Sequence, residues 1–294
     1  MHYAKQRLLY TSALAGSGKT YALVRYAHSL AKRGRKVLFV QPTKELIDKT
    51  VTDELGVLSP IRHRRIHGTT EPGRVVAEIV RHFKETDDGG EIVFITQSAF
   101  LRTPYLENKN RWIAIFDEVI QVDQPAEFNI PDTKDLILPH LETSPYDTRY
   151  ARLEPANASS RNALAKIARN KDSDQVWGLF EGFADRISSL HWETFVLENQ
   201  FENLRTGKGD KRRLSTFSIL GPTVVEGFAQ VIFAGACFED SMLYRLWSAQ
   251  GVEFQRLKLK LRYNVHENGK LIRIRYLTED AWSKTLRDKQ SDEG

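Results

Sequence analysis

The chain has 294 residues, of which 41% are apolar and 28% charged, a balance that excludes a disordered polypeptide and fits one large globular domain or two small ones. Its single cysteine, Cys237, excludes an internal disulfide and a cysteine-rich zinc site and points to a reducing compartment. The net charge of +5 permits a polyanionic partner without requiring one.

The first residues, Met1-His2-Tyr3-Ala4-Lys5-Gln6-Arg7, lack the long apolar stretch of a signal peptide. No run approaches the roughly 20 apolar residues needed to span a bilayer. A cytoplasmic location is therefore expected, in the host cytoplasm if the protein is viral, and no membrane partner.

A short apolar run, Leu8-Leu9-Tyr10, predicts a first strand. It leads into Ala13-Leu14-Ala15-Gly16-Ser17-Gly18-Lys19-Thr20, the pattern of a phosphate loop with Ala13 in place of the first glycine. Backbone N–H groups of Ala15, Gly16, Ser17, Gly18, Lys19 and Thr20 would cradle phosphate oxygens, helped by the positive end of the following helix. Lys19 would reach the β- and γ-phosphates, and the Thr20 hydroxyl would be a Mg²⁺ ligand. ATP and Mg²⁺ are the expected cofactors.

Leu23, Ala27, Leu30 and Ala31 recur at helical spacing, and Gly34 stops that helix. Residues 36–40 read as a buried parallel strand. Gln41-Pro42-Thr43-Lys44 follows, then a helix carrying Leu46, Ile47, Val51 and Leu55. Pro72 can open a third helix bearing Val75, Val76, Ile79, Val80 and Phe83 on one face. Residues 92–95 and 112–116 are two further strands. Strands alternating with helices predict a doubly wound α/β sheet.

The strand 112–116 ends in Asp117-Glu118. A buried strand tip would aim both acids at the phosphate site. Asp117 would hold Mg²⁺, and Glu118 would act as general base on the attacking water.

Taken together, residues 13–20, Gln41-Pro42-Thr43-Lys44, Thr96-Gln97-Ser98 and Asp117-Glu118-Val119-Ile120 resemble motifs I, Ia, Ib and II of superfamily 2 (DEAD/DEAH-type) helicases, in order. A phage-type member is one form of that resemblance. Near the end, Val231-Ile232-Phe233-Ala234-Gly235-Ala236 resembles motif III. The resemblance implies a RecA-like P-loop NTPase with a mainly parallel sheet. It makes Thr43, Lys44, Thr96 and Gln97 nucleic-acid contacts, with DNA favoured over RNA, and Gly235 and Ala236 a coupling element. For Thr43 and Thr96 a helix N-cap is an equally good account.

The chain departs from that family in three ways. Motif II reads Asp-Glu-Val-Ile rather than Asp-Glu-Ala-Asp. A long stretch separates it from motif III; its prolines and the helical run of Val176, Trp177, Phe180, Phe183 and Ile187 predict a mainly helical insertion over 123–213. That insertion would end in a basic loop bearing Arg205, Lys208, Lys211, Arg212 and Arg213, which could grip nucleic acid or only pack. Residues 253–294 read as the start of a truncated second domain, or a linker hairpin. Residues 257–262 form an expected strand, Asn268-Gly269 a turn, 271–276 another strand and 281–289 a helix. The ATPase domain would then comprise 1–122 and 214–252. A second RecA-like domain would lie in a missing C-terminal part or in a partner protein. The alternatives to a nucleic-acid motor are a viral terminase-like packaging ATPase and a non-catalytic, ATP-switched nucleic-acid-binding module.

Overall fold

The computed structural model describes residues 7–85, 87–129, 136–171, 173–208, 213–263, 265, 271 and 273. The chain opens with β1 (Arg7–Ser12), α1 (Lys19–Lys32) and β2 (Lys36–Gln41). Next come α2 (Lys44–Lys49), extended by one wide turn over Thr50–Leu55, and β3 (His63–Ile66). Then follow α3 (Val75–Lys84), β4 (Glu91–Thr96), α4 (Gln97–Arg102) and β5 (Trp112–Phe116). The expected third helix begins at Val75 rather than Pro72, because Gly73 takes a left-handed conformation that breaks the first turn.

The next segment contains β6 (Asp123–Asn129), β7 (Leu141–Pro145), β8 (Tyr150–Pro155), α5 (Ala158–Arg169) and α6 (Gln175–Ser188). It continues through β9 (Trp192–Leu197), α7 (Glu198–Thr206) and β10 (Arg213–Leu220). The chain then returns as β11 (Gln230–Gly235), α8 (Met242–Ala249) and β12 (Glu253–Arg256). Among the described residues no helix is long and apolar enough to cross a membrane.

The first sheet has seven strands in the order β12-β1-β11-β5-β2-β4-β3, all parallel. This is the expected RecA-like α/β architecture. Every residue of β2 is buried, as a central parallel strand covered on both faces must be. Val37 and Phe39 pack with Leu23, Val24 and Ala27 of α1, whereas Leu38 and Val40 join Phe83 and Phe100 in the other layer. Because all seven strands run the same way, their C-terminal ends share one edge. Ser12, Gln41, Thr96, Phe116 and Gly235 all stand there.

Where a mainly helical insertion is expected, the chain builds a second, antiparallel sheet of five strands, β6-β10-β9-β8-β7, beside α5, α6 and α7. The helices cover one face, packing Leu164, Phe180 and Phe183 against Ala151, Leu153, Val196 and Leu214. The strands are not marked by alternation because their polarity does not follow their faces: β10 buries Thr216 and Ser218 and exposes Phe217. Pro125 and Pro145 are tolerated because β6 and β7 are edge strands. β10 belongs to this sheet, so the segment extends to Leu220 rather than residue 213. It enters and leaves through a neck, where Leu220 N–H donates to the Val122 carbonyl at 2.8 Å. The basic loop is also smaller than expected: Arg205 ends α7 and pairs with Glu202, while Arg213 starts β10 and pairs with Glu127. Lys211 and Arg212 lie outside the described residues.

The C-terminal expectations change too. Residues 253–256 form no part of a new domain but are β12, the edge strand beside β1. Residues 257–262 are no strand. They form an extended strap whose Leu257 N–H donates to the Tyr10 carbonyl at 2.7 Å and whose Leu257 and Leu259 pack on the α1 side of the core. The alternation of leucines with basic residues is thus satisfied by docking, not by pairing. The expected turn at Asn268-Gly269, strand 271–276 and helix 281–289 lie outside the described residues, apart from the isolated Leu271 and Arg273.

One buried charge ties β2 to β4. Lys36 Nζ lies 2.7 Å from Glu91 Oε1, and both side chains are buried. His82 approaches the other carboxylate oxygen at 3.2 Å. Burial alone would raise the Glu91 pKa, but the His82 and Lys36 hydrogen bonds outweigh it and hold the carboxyl at about 2. A lowered folded pKa stabilises above the unfolded value and is lost as pH falls through the folded one. Glu91 should therefore contribute roughly 3 kcal/mol at neutral pH that disappears as pH falls from about 4.5 to about 2. Denaturant melts of the unaltered chain and Glu91→Gln across this range should show a gap at neutral pH that closes on acidification.

Candidate active site

The phosphate loop leaves β1 at Ser12 and turns at Gly16 and Gly18, whose φ angles are 73° and 85°. A Cβ at Gly18 would be strained, so glycine is required there. No side chain caps α1, which leaves its first N–H groups free to face an anion. Lys19 is nearly buried and folds back on the loop, with Nζ 3.3 Å from the Ala13 carbonyl and 3.2 Å from that of Leu14.

Asp117 stands beneath this loop, 3% exposed, at the end of β5. Its Oδ2 accepts from Thr20 Oγ1 at 2.8 Å and from Gln41 Nε2 at 2.8 Å. Gln41 in turn donates to Thr50 Oγ1 at 2.9 Å. Burial pushes the Asp117 carboxyl up to about 6, against the hydrogen bonds from Thr20 and Gln41 and the charge of Lys19, while the Glu118 charge adds to the rise. A buried carboxylate that is costly to ionise, paired with a hydroxyl oxygen, is a donor set suited to a hard divalent cation. Thr20 and Asp117 therefore fit Mg²⁺. Glu118 is exposed at the same edge.

The motif III strand, β11, lies between β1 and β5. Ala13 N–H donates to the Gly235 carbonyl at 3.2 Å, and Phe238 N–H donates to Ser12 Oγ at 3.1 Å. A Cβ on Gly235 would come within 2.6 Å of Val119 Cγ2, so this glycine lets the acid-bearing loop pass close by. Ala236 is exposed beside it.

The remaining expected site residues lie along the same edge, beyond β5. Thr43 Oγ1 caps α2 by accepting from Leu46 N–H at 3.2 Å, and Thr96 Oγ1 caps α4 by accepting from Ala99 N–H at 3.1 Å. Lys44 is half-exposed, 3.9 Å from Glu45. Gln97 donates to the backbone carbonyl of Glu118 at 3.1 Å, which ties the start of α4 to the acid pair. Gln41, placed by sequence only within the motif Ia resemblance, proves to be a site residue through its hydrogen bond to Asp117. The one sequence signal for it is a glutamine closing the otherwise apolar run Val37-Leu38-Phe39-Val40.

A capless helix after a glycine loop, with a buried acid two strands away in an all-parallel sheet, defines a RecA-like P-loop NTPase domain. Residues 3–124 match the family model described as type III restriction enzyme, res subunit. This part of the chain is an N-terminal RecA-like domain of helicase superfamily 2. No curated protein matches the chain.

Gly235→Ala should cost about 1–3 kcal/mol in a chemical melt through the Val119 overlap. Val119→Ala in the same chain should recover most of that loss. Additive costs in the double-mutant cycle would deny the contact.

Proposed function

We propose that the chain is the ATP-hydrolysing half of a helicase-like nucleic-acid motor. The observation that carries this reading is the buried Asp117 carboxylate, which accepts from Thr20 directly beneath the phosphate loop. In this reading the loop N–H groups of Ala15–Thr20 and the Lys19 ammonium bind the triphosphate. Thr20 and Asp117 would hold Mg²⁺, whose chemistry is to neutralise charge on the β- and γ-phosphates. Gln41 fixes the Asp117 carboxylate in place. Glu118, exposed next to it, takes the proton of the attacking water.

Nucleic acid, DNA before RNA, would run along the sheet edge past Lys44 and Gln97. Thr43 and Thr96 would meet it at the starts of α2 and α4, where backbone N–H groups suit phosphate. Gln97, bonded to the Glu118 carbonyl, offers a direct link from strand contact to the base. Gly235 and Ala236, between the phosphate loop and the acids, would transmit the change on hydrolysis. A second RecA-like domain, further along the polypeptide or in a partner, would complete the motor with an arginine worth about 10³–10⁵ in rate. The antiparallel segment 123–220 is an insertion in the ATPase domain.

Two measurements test this. Glu118→Gln should keep ATP binding while turnover falls about 10²–10⁴-fold; unchanged turnover removes Glu118 as base. ATPase should rise with single-stranded DNA, double-stranded DNA or RNA, and a rate indifferent to all three would remove the nucleic-acid part.

A further inference from the structure

The strap after β12 crosses the phosphate loop itself. The backbone N–H groups of Arg262 and Tyr263 both donate to the Ser17 carbonyl at 3.1 Å. The Arg262 Cβ sits 3.0 Å from where a Cβ of Gly18 would be. Its guanidinium lies 4.0 Å from the centre of the Tyr21 ring and donates to Glu54 at 3.1 Å. Arg25 lies over the same ring at 3.4 Å and bonds the same carboxylate at 3.3 Å. Two arginines, one aromatic ring and one acid thus pin the strap to the first turns of α1.

Pinned in this way, the strap forms one wall of an open cavity of about 360 Å³ beside the loop. Leu14, Ser17, Arg256, Leu261 and Tyr263 line it. That size is within the range of small-molecule sites, and the lining sets polar groups of Ser12, Ser17 and Arg256 beside Leu14, Leu261 and the Tyr263 ring. Ser17 is 2% exposed, and its hydroxyl has no hydrogen-bond partner among the described residues. Tyr263 is 61% exposed, leaving much of its ring uncovered.

Strand order gives the cavity an orientation. The acids lie on the β11–β5 side of β1, so the γ-phosphate end of a bound triphosphate faces that way. The sugar and base must then leave the loop on the other side, toward β12 and the strap. We propose that this cavity is the base pocket of the nucleotide, with Tyr263 as its stacking platform, Leu14 and Leu261 as its apolar walls and Arg256 at its polar rim. The proposal rests on the reading of residues 13–20 as the ATP phosphate site.

Calorimetric titration with Mg²⁺·ATP and with Mg²⁺·tripolyphosphate separates the two readings, because tripolyphosphate has no base. The unaltered chain should bind ATP more tightly than tripolyphosphate. Tyr263→Ala should weaken ATP about tenfold or more and leave tripolyphosphate within about twofold, whereas Tyr263→Phe should keep both. Arg262→Ala, which unpins the strap, should follow Tyr263→Ala. Tripolyphosphate binding also verifies that each variant is folded. Equal weakening of both ligands, or of neither, would overturn the base pocket. Equal affinity of the unaltered chain for both would overturn it while leaving the phosphate site standing. Binding of neither ligand would overturn both.

Discussion

The arrangement of the site hangs on one buried carboxylate. Asp117 accepts hydrogen bonds from Thr20 at the start of α1 and from Gln41 at the tip of β2, so three separate chain segments meet at a single oxygen. A carboxylate taken out of water is tolerated when its lone pairs are used and a cation stands nearby, and here Lys19 supplies the charge. Burial raises the carboxyl pKa, against the Thr20 and Gln41 hydrogen bonds and the Lys19 charge. A divalent cation between Thr20 and Asp117 would offset the cost, which couples metal binding to the shape of the phosphate loop.

Around this point the sheet acts as a rigid frame. β11 carries no ionisable residue, yet its position between β1 and β5 makes it the contact between phosphate loop and acids. It can lie there only because Gly235 has no side chain to strike Val119. The antiparallel segment hangs from the frame by the Val122–Leu220 neck and has its own apolar core. An insertion entering and leaving through adjacent residues leaves the parent sheet undisturbed. The strap links the site to the chain that follows. It touches Ser17, Gly18 and Tyr21 at once.

Local signals made much of the site legible in the sequence. The glycine loop before an amphipathic helix, and the apolar run 112–116 closed by two acids, each carry their chemistry within a few adjacent residues. Thr43 and Thr96 were readable as helix caps for the same reason, since a cap bonds only three residues ahead. The strands of the inserted sheet were not legible. β10 buries Thr216 and Ser218 while exposing Phe217, so its polarity does not mark its covered face, and the partners of β8 and β10 are distant in sequence. Leu257, Leu259 and Leu261 carry a strand-like alternation, but what they meet is the flank of α1 and the edge of the phosphate loop.

The sequence by itself determined the phosphate loop, the acid pair and the α/β alternation, because each depends on bonds within a strand tip, a tight turn or one helix. Tertiary structure alone decided that β11 separates loop from acids, that β12 closes the sheet edge and that the strap crosses the loop. It also decided that Gln41 reaches Asp117 from 76 residues away. Those outcomes depend on which buried surfaces and backbone groups find each other across the folded chain, and no short window of residues contains both partners.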